Sequence, residues 1–215
     1  MLIFEDPYLG DIVEKTSYDQ IYDEHVFYFS VTSVTKLFEQ HGLEVVDVQP
    51  QNVHGGSMRY VIAHKGAHPV SPSVTAQLTK EETIGLGKTE TYMQLRKNIE
   101  NSRDALITLL RKIKKEGKRV VGYAATSKST TVTNYCGITP DLLEFICDTT
   151  PIKQGKYSPG AHIPVLPYEE FLNPYPDYAL LFGWNHGEEI LAKEKKFNTA
   201  GGKWILYVPG VKVIA

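Results

Sequence analysis

Apolar positions fall into two regimes along the chain. Up to about Lys65, short strand-like and helix-like pieces alternate with aromatic-rich polar segments. Leu2 to Phe4 reads as a strand and residues 9–16 as one or two helical turns. Val34, Leu37 and Phe38 recur at helical spacing, which predicts a helix through VTKLFEQH with Ser33 as its N-cap and Gly42 just past its end. LEVVDVQPQ and SMRYVIAHK read as strands joined through NVHGG. Residues 66–80, with two prolines and small polar residues, read as a linker. Leu95, Ile99, Leu106, Leu109, Leu110 and Ile113 then mark a long helix from about Tyr92 to Lys115, closed by basic residues and a glycine.

From Lys118 the pattern becomes strand and helix in turn. KRVVGYAA, LEFICDTTP, DYALLFGW and KWILYVP read as strands, with helices entered at TSKSTTVTNYCGI and formed by EEILAKEKKF. This alternation predicts an α/β fold with a mostly parallel sheet, helices on its faces and a ligand site outside the carboxyl ends of the strands.

A length of 215 residues accommodates one large domain or two small ones. Lys and Arg total 23 and Asp and Glu 25, a balance that excludes a protein built to coat nucleic acid or an anionic membrane. With 42% apolar residues a packed core is feasible. Two cysteines, Cys136 and Cys147, exclude a disulfide scaffold and a four-cysteine zinc site, and read as buried thiols. The segment MLIFEDPYLGD lacks the basic start of a signal peptide, and no apolar stretch approaches the roughly 20 residues of a membrane span. A cytoplasmic location follows by default.

Four segments could carry chemistry. Tyr22-Asp23-Glu24-His25 places a phenol, two carboxylates and an imidazole within four residues, and histidine suits proton abstraction near neutral pH. A polar turn explains the same residues. GYAATSKS, residues 122–129, follows a strand and enters a helix as an anion-binding loop does, with Ser127 where a phosphate loop has its second glycine. Lys128, Ser129 and main-chain amides suit a looser diphosphate site; a capped helix start is the plain alternative. Gly85-Leu86-Gly87-Lys88 is a weaker version that follows no strand. KQGKYSPGAH, residues 153–162, offers lysine, tyrosine and histidine at the sheet edge. His54-Gly55-Gly56-Ser57 suits either a close approach to a ligand or a hairpin turn.

Together these segments resemble the C-terminal portion of the sugar C-methyltransferases of deoxysugar biosynthesis. The resemblance rests on FEDPYLGDIVEKTSYDQIYDEHVFYFS, HGGSMRY, ATSKSTTVTNYCGI and DTTPIKQGKYSPGAHIP, in that order along most of the chain. It implies an enzyme with a zinc-binding region, an S-adenosylmethionine-binding domain and a second Rossmann-like domain, acting on a nucleotide-linked 4-keto-deoxysugar. By that resemblance His25 is the base beside the ketone, Tyr22 hydrogen-bonds the sugar or its oxyanion, and Glu24 supports the histidine. Candidate substrate contacts are His54, Ser127, Lys128, Ser129, Asn134, Lys153, Gln154, Tyr157 and His162.

The family's clustered zinc cysteines and Gly-rich adenosylmethionine loop have no counterpart in these residues. The expected organisation is therefore a methyltransferase-domain tail over 1–66, a linker and long helix over 67–117, and a Rossmann-like substrate domain over 118–215. S-adenosylmethionine is expected for the complete enzyme and not for this chain alone, with no metal here and a separate or upstream methyltransferase and zinc-binding region as partner. A non-catalytic nucleotide-sugar binding module is the alternative.

Overall fold

A computed structural model describes all 215 residues. They form two compact units: Met1–Ser17 with Glu24–Lys97, and Tyr18–Asp23 with Asn98–Ala215. The main division falls between Lys97 and Asn98, within the expected linker and long helix over 67–117, and six residues around Tyr22 fold with the second unit.

The first unit contains β1 (Leu2–Pro7), α1 (Leu9–Lys15), α2 (Val31–Glu39), β2 (Leu43–Gln51), β3 (Ser57–His64), α3 (Pro72–Ile84) and the start of α4 (Thr89–Lys115). Its sheet has the order β1-β3-β2 and is antiparallel throughout. Tyr8, Val31, Val34, Val45, Val48, Met58, Tyr60, Ile62 and Val74 form its core.

Two local readings are corrected. Helix α2 starts at Val31 with Ser30, not Ser33, as its cap. The Ser30 hydroxyl accepts the Ser33 amide at 3.1 Å and the Ser33 hydroxyl accepts the Ser30 amide at 3.0 Å, so Ser33 is the inner half of a capping box. Residues 66–80 are not simply a linker, since Ser71 caps α3 and Pro72 is its first residue. The serine and proline that suggested a loop are helix-start signals.

Glu81, on α3, is 2% exposed. Its carboxylate accepts the amides of Val31 at 2.6 Å and Thr32 at 2.8 Å, and the Tyr8 hydroxyl at 3.1 Å. It thereby satisfies the first free amides of α2, where the helix dipole favours negative charge. Replacing it should orphan those amides. Glu81→Leu is expected to lower unfolding free energy by roughly 2–4 kcal/mol in denaturant titration; a loss under about 0.5 kcal/mol would contradict this role.

The second unit continues α4 and adds β4 (Val120–Tyr123), α5 (Ser127–Cys136), β5 (Ile146–Asp148), β6 (Lys156–Tyr157), β7 (Pro164–Pro167), α6 (Glu169–Leu172), β8 (Tyr178–Leu181), α7 (Gly187–Lys193), α8 (Lys195–Thr199), β9 (Lys203–Leu206) and β10 (Lys212–Ile214). The sheet order is β10-β9-β8-β4-β5-β7-β6. Strands β9, β8, β4, β5 and β7 are parallel, and β6 and β10 close the edges antiparallel. The chain leaves β4 through β5 and β7 on one side, then returns to β8 and β9 on the other. The order reverses between β4 and β8, where such sheets bind ligands.

Both sheet faces are buried. One carries Val120, Ile146, Leu180 and Ile205 against α4 and α5 residues such as Leu106, Leu110 and Val132. The other carries Val121, Tyr123, Cys147, Ala179 and Leu181 against Phe171 and Phe197. Three strands lay beyond the pattern: β6 has two residues, β7 is bracketed by prolines, and β10 has three residues. EEILAKEKKF is two helices, because Glu194 leaves helical geometry and its buried carboxylate accepts the hydroxyls of Tyr123 at 2.8 Å and Tyr168 at 2.7 Å.

Candidate functional site

The segment Tyr18–Asp23 enters the second unit through a short 3-10 turn, Tyr18–Gln20, all three residues buried. The Tyr18 ring joins the core and its hydroxyl meets the Cys136 sulfur at 3.5 Å. Asp19 is fully buried, and its Oδ2 accepts the Trp184 indole N–H at 2.5 Å and the Tyr207 hydroxyl at 2.7 Å. The Ile21 carbonyl accepts the Thr131 hydroxyl at 3.3 Å. Tyr22, half-buried, is thus held in a segment lying against α5 and the carboxyl ends of β8 and β9.

Asp148, at the carboxyl end of β5, organises the neighbouring loops. Its Oδ2 accepts the Ala125 amide at 2.7 Å and faces the Lys153 ammonium at 3.4 Å, while Oδ1 accepts the Thr150 amide at 2.8 Å. Lys153 also donates to the Ala125 carbonyl at 2.7 Å. Burial pushes the Asp148 carboxyl up, but the bonds from Thr150 and Ala125 and the Lys153 charge outweigh it and leave the group below the usual carboxylate range. The result is a cleft of about 380 Å3 lined by Ser127, Ser129, Lys153, Lys156 and Tyr157 among others.

Part of the backbone of residues 122–129 is engaged within the fold. Gly122 lies inside β4, where an added Cβ would overlap Phe182 and Ile146. The amide of Ala124 bonds Cys147, that of Ala125 bonds Asp148, and that of Ser129 bonds the Thr126 hydroxyl. The Ser129 hydroxyl is itself engaged, donating to the Thr126 carbonyl at 2.6 Å. Ser127 is exposed at the start of α5.

The other expected residues divide clearly. Lys128 is buried; its ammonium bonds Asn185 at 3.0 Å, stands 5.0 Å from the Trp184 ring and does not line the Lys153 cleft. Asn134 clamps the 153–162 loop onto α5, its amide donating to Thr130 and Pro159 carbonyls at 2.8 and 2.9 Å. Gly160 sits at φ +75 against that amide, a conformation and a closeness that require glycine. Gln154 bonds the Asp148 carbonyl at 2.9 Å, and His162 is exposed at φ +51.

Glu24, His25 and His54 belong to the first unit. The half-buried His25 ring meets Tyr28 edge-on at 6.0 Å, and Tyr28 lines a cleft of about 590 Å3 shared with Lys36, Lys88 and the Gly85–Gly87 turn. Burial raises the Asp6 carboxyl, and the His25 charge pulls it back. Glu24 is exposed. The His54 turn is tied to α1 through Lys15 and the Gly55 carbonyl at 2.7 Å and the Tyr8 amide and the Gly56 carbonyl at 3.1 Å.

Residues 52–209 match the family described as the C-methyltransferase C-terminal domain. The chain belongs to the C-methyltransferase family. It is also 38% identical over 216 residues to C-methyltransferase NovU of Streptomyces niveus, covering 100% of this chain and 51% of that protein. The chain thus spans about half the length of that curated relative.

Two acidic residues of this chain escaped the sequence reading: Asp6, electrostatically coupled to His25, and Asp19. No spacing rule distinguishes either from an ordinary surface carboxylate. No helix of the chain is long and apolar enough to cross a membrane. The depressed Asp148 carboxyl makes a signed prediction. Its contribution is complete above the ordinary Asp value of about 3.9 and is lost as pH falls through the folded value. Amide-exchange protection over residues 149–162 should therefore fall below about pH 4, and Asp148→Asn should remove that dependence. Acid sensitivity unchanged in Asp148→Asn would refute the assignment.

Proposed function

We propose that this chain is the acceptor-side part of an S-adenosylmethionine-dependent C-methyltransferase acting on a nucleotide-linked 4-keto-deoxysugar. The observation that carries the reading is the fold of the Tyr18–Asp23 segment. The residues leading into Tyr-x-Glu-His join the same unit as the Lys153 cleft, although more than 90 residues separate them in sequence. By the family resemblance His25 is the base for the carbon beside the ketone and Tyr22 the donor to the enolate oxygen, roles their imidazole and phenol suit. Lys153, Lys156 and the hydroxyl of Ser127 suit the diphosphate, and the exposed Tyr157 ring suits a flat or sugar-like group beside it.

The residues present do not fit the methyl donor. The sheet of the first unit is antiparallel, and Pro7-Tyr8 leads from β1 into α1 without a glycine turn. In the second unit the amides of Ala124, Ala125, Thr126 and Ser129 already have acceptors. The donor therefore belongs to another region of the complete enzyme. Strand β1 pairs only with β3, leaving its outer edge free beside Leu2 and Ile3, which are 47% and 57% exposed. Such an edge suits pairing with a strand of that region.

Steady-state kinetics of the complete enzyme test the assignment. His25→Ala should lower kcat by roughly 100-fold or more, and Tyr22→Phe by about 10- to 1000-fold. Lys153→Met should act mainly on KM. Near-normal turnover in His25→Ala would overturn the base.

A further inference from the structure

We propose that Asp19 is a positioning residue: its buried carboxylate, gripped by Trp184 and Tyr207, holds the segment that carries Tyr22 at the carboxyl ends of β8 and β9. The inference rests on the reading of Tyr22 above. It adds a residue that this reading does not use.

The grip is directional. Trp184 follows β8 by three residues and Tyr207 follows β9 by one, so the two donors mark the ends of adjacent strands. Both point at one oxygen, Asp19 Oδ2, at 2.5 and 2.7 Å. These bonds join residues 165 and 188 positions apart. On the same turn, Tyr18 packs into the core and the Ile21 carbonyl accepts from Thr131 on α5. The backbone is thus fixed on both sides of Asp19, and Tyr22 follows one residue after Ile21.

The arrangement makes poor sense as stability alone. A buried carboxylate loses its hydration, and its second oxygen, Oδ1, has no hydrogen-bond partner. Burial drives the Asp19 carboxyl up, and the Tyr207 and Trp184 bonds pull it back. Lys128 faces it from α5, its ammonium lowered by burial and raised by Asp19. Apolar side chains of similar volume would fill the same space at less cost. What they would lack is an acceptor that fixes the register of the turn against both strand ends.

The test combines turnover of the complete enzyme with two readouts on the folded protein: the indole N–H resonance of Trp184, one of two tryptophans, and amide exchange across residues 18–23. Asp19→Leu removes the acceptor. It should shift the Trp184 indole signal, speed exchange in residues 18–23 by roughly 10-fold or more, and lower kcat by about 10- to 100-fold with KM changed less than about threefold. Asp19→Asn keeps an oxygen that accepts from both donors, and should restore the indole signal and most of the lost turnover. In a Tyr22→Phe background Asp19→Leu should change kcat by less than about threefold, because the positioned group is already gone.

An equal loss from Asp19→Leu in both backgrounds, or full kcat with a released segment, would overturn the positioning role. A normal kcat in Tyr22→Phe would instead sink the reading of Tyr22 itself, which separates the two failures. Should Asp19→Leu not fold, Tyr207→Phe and Trp184→Phe each remove one donor. They should then act in the same direction by about 3- to 10-fold, and normal turnover in both would overturn the proposal.

Discussion

The buried carboxylate of Asp19 is the constraint that ties the Tyr18–Asp23 segment to the second unit. Through it, a six-residue excursion from the first part of the chain is bonded to the ends of two strands formed far later in sequence. A segment of this length has too few side chains to order itself. Its order comes from the Tyr18 ring in the core, the two hydrogen bonds to Asp19, and Thr131 on the Ile21 carbonyl. Because these contacts are specific in direction, they fix a conformation as well as a location.

The same device recurs with other carboxylates. Glu81 satisfies the opening amides of α2, Asp148 joins the turn after β4 to the loop after β5, and Glu194 gathers two tyrosine hydroxyls where α7 ends. In each case an acidic side chain is buried and at least one of its oxygens accepts from groups of other elements. At Asp148 this has a consequence for binding. The amides of Ala124 and Ala125 are engaged within the fold, and the cleft is lined by the side chains of Lys153, Lys156, Ser127 and the exposed Tyr157.

Much of the fold was legible because its strands are long or strongly apolar. Val120-Val121, Ile146-Cys147 and Tyr178 to Leu181 carry the parallel sheet, and each reads as a buried strand by itself. The two-residue β6 and the proline-bracketed β7 were not legible, because β7 is held by pairing with β5 and β6 by pairing with β7, and not by their own pattern. Ser71-Pro72 misled as a linker because the same residues open helices and loops. At the site, the residue types in Tyr22–His25 and 153–162 signalled chemistry, whereas their partners did not. Lys128 reads as a phosphate contact in sequence, yet the chain turns it toward Asn185 and Trp184. Asp19 and Asp6 acquire their roles only through partners brought together by folding.

The central claim is that this part of the enzyme prepares the carbon nucleophile without the methyl donor. The most direct measurement is solvent deuterium incorporation at the carbon beside the ketone of a nucleotide-linked 4-keto-deoxysugar, using the complete enzyme in heavy water with the methyl donor withheld. The account predicts enzyme-dependent exchange at that carbon, reduced by roughly 100-fold or more in His25→Ala. Exchange that proceeds equally in the wild type and in His25→Ala would contradict it.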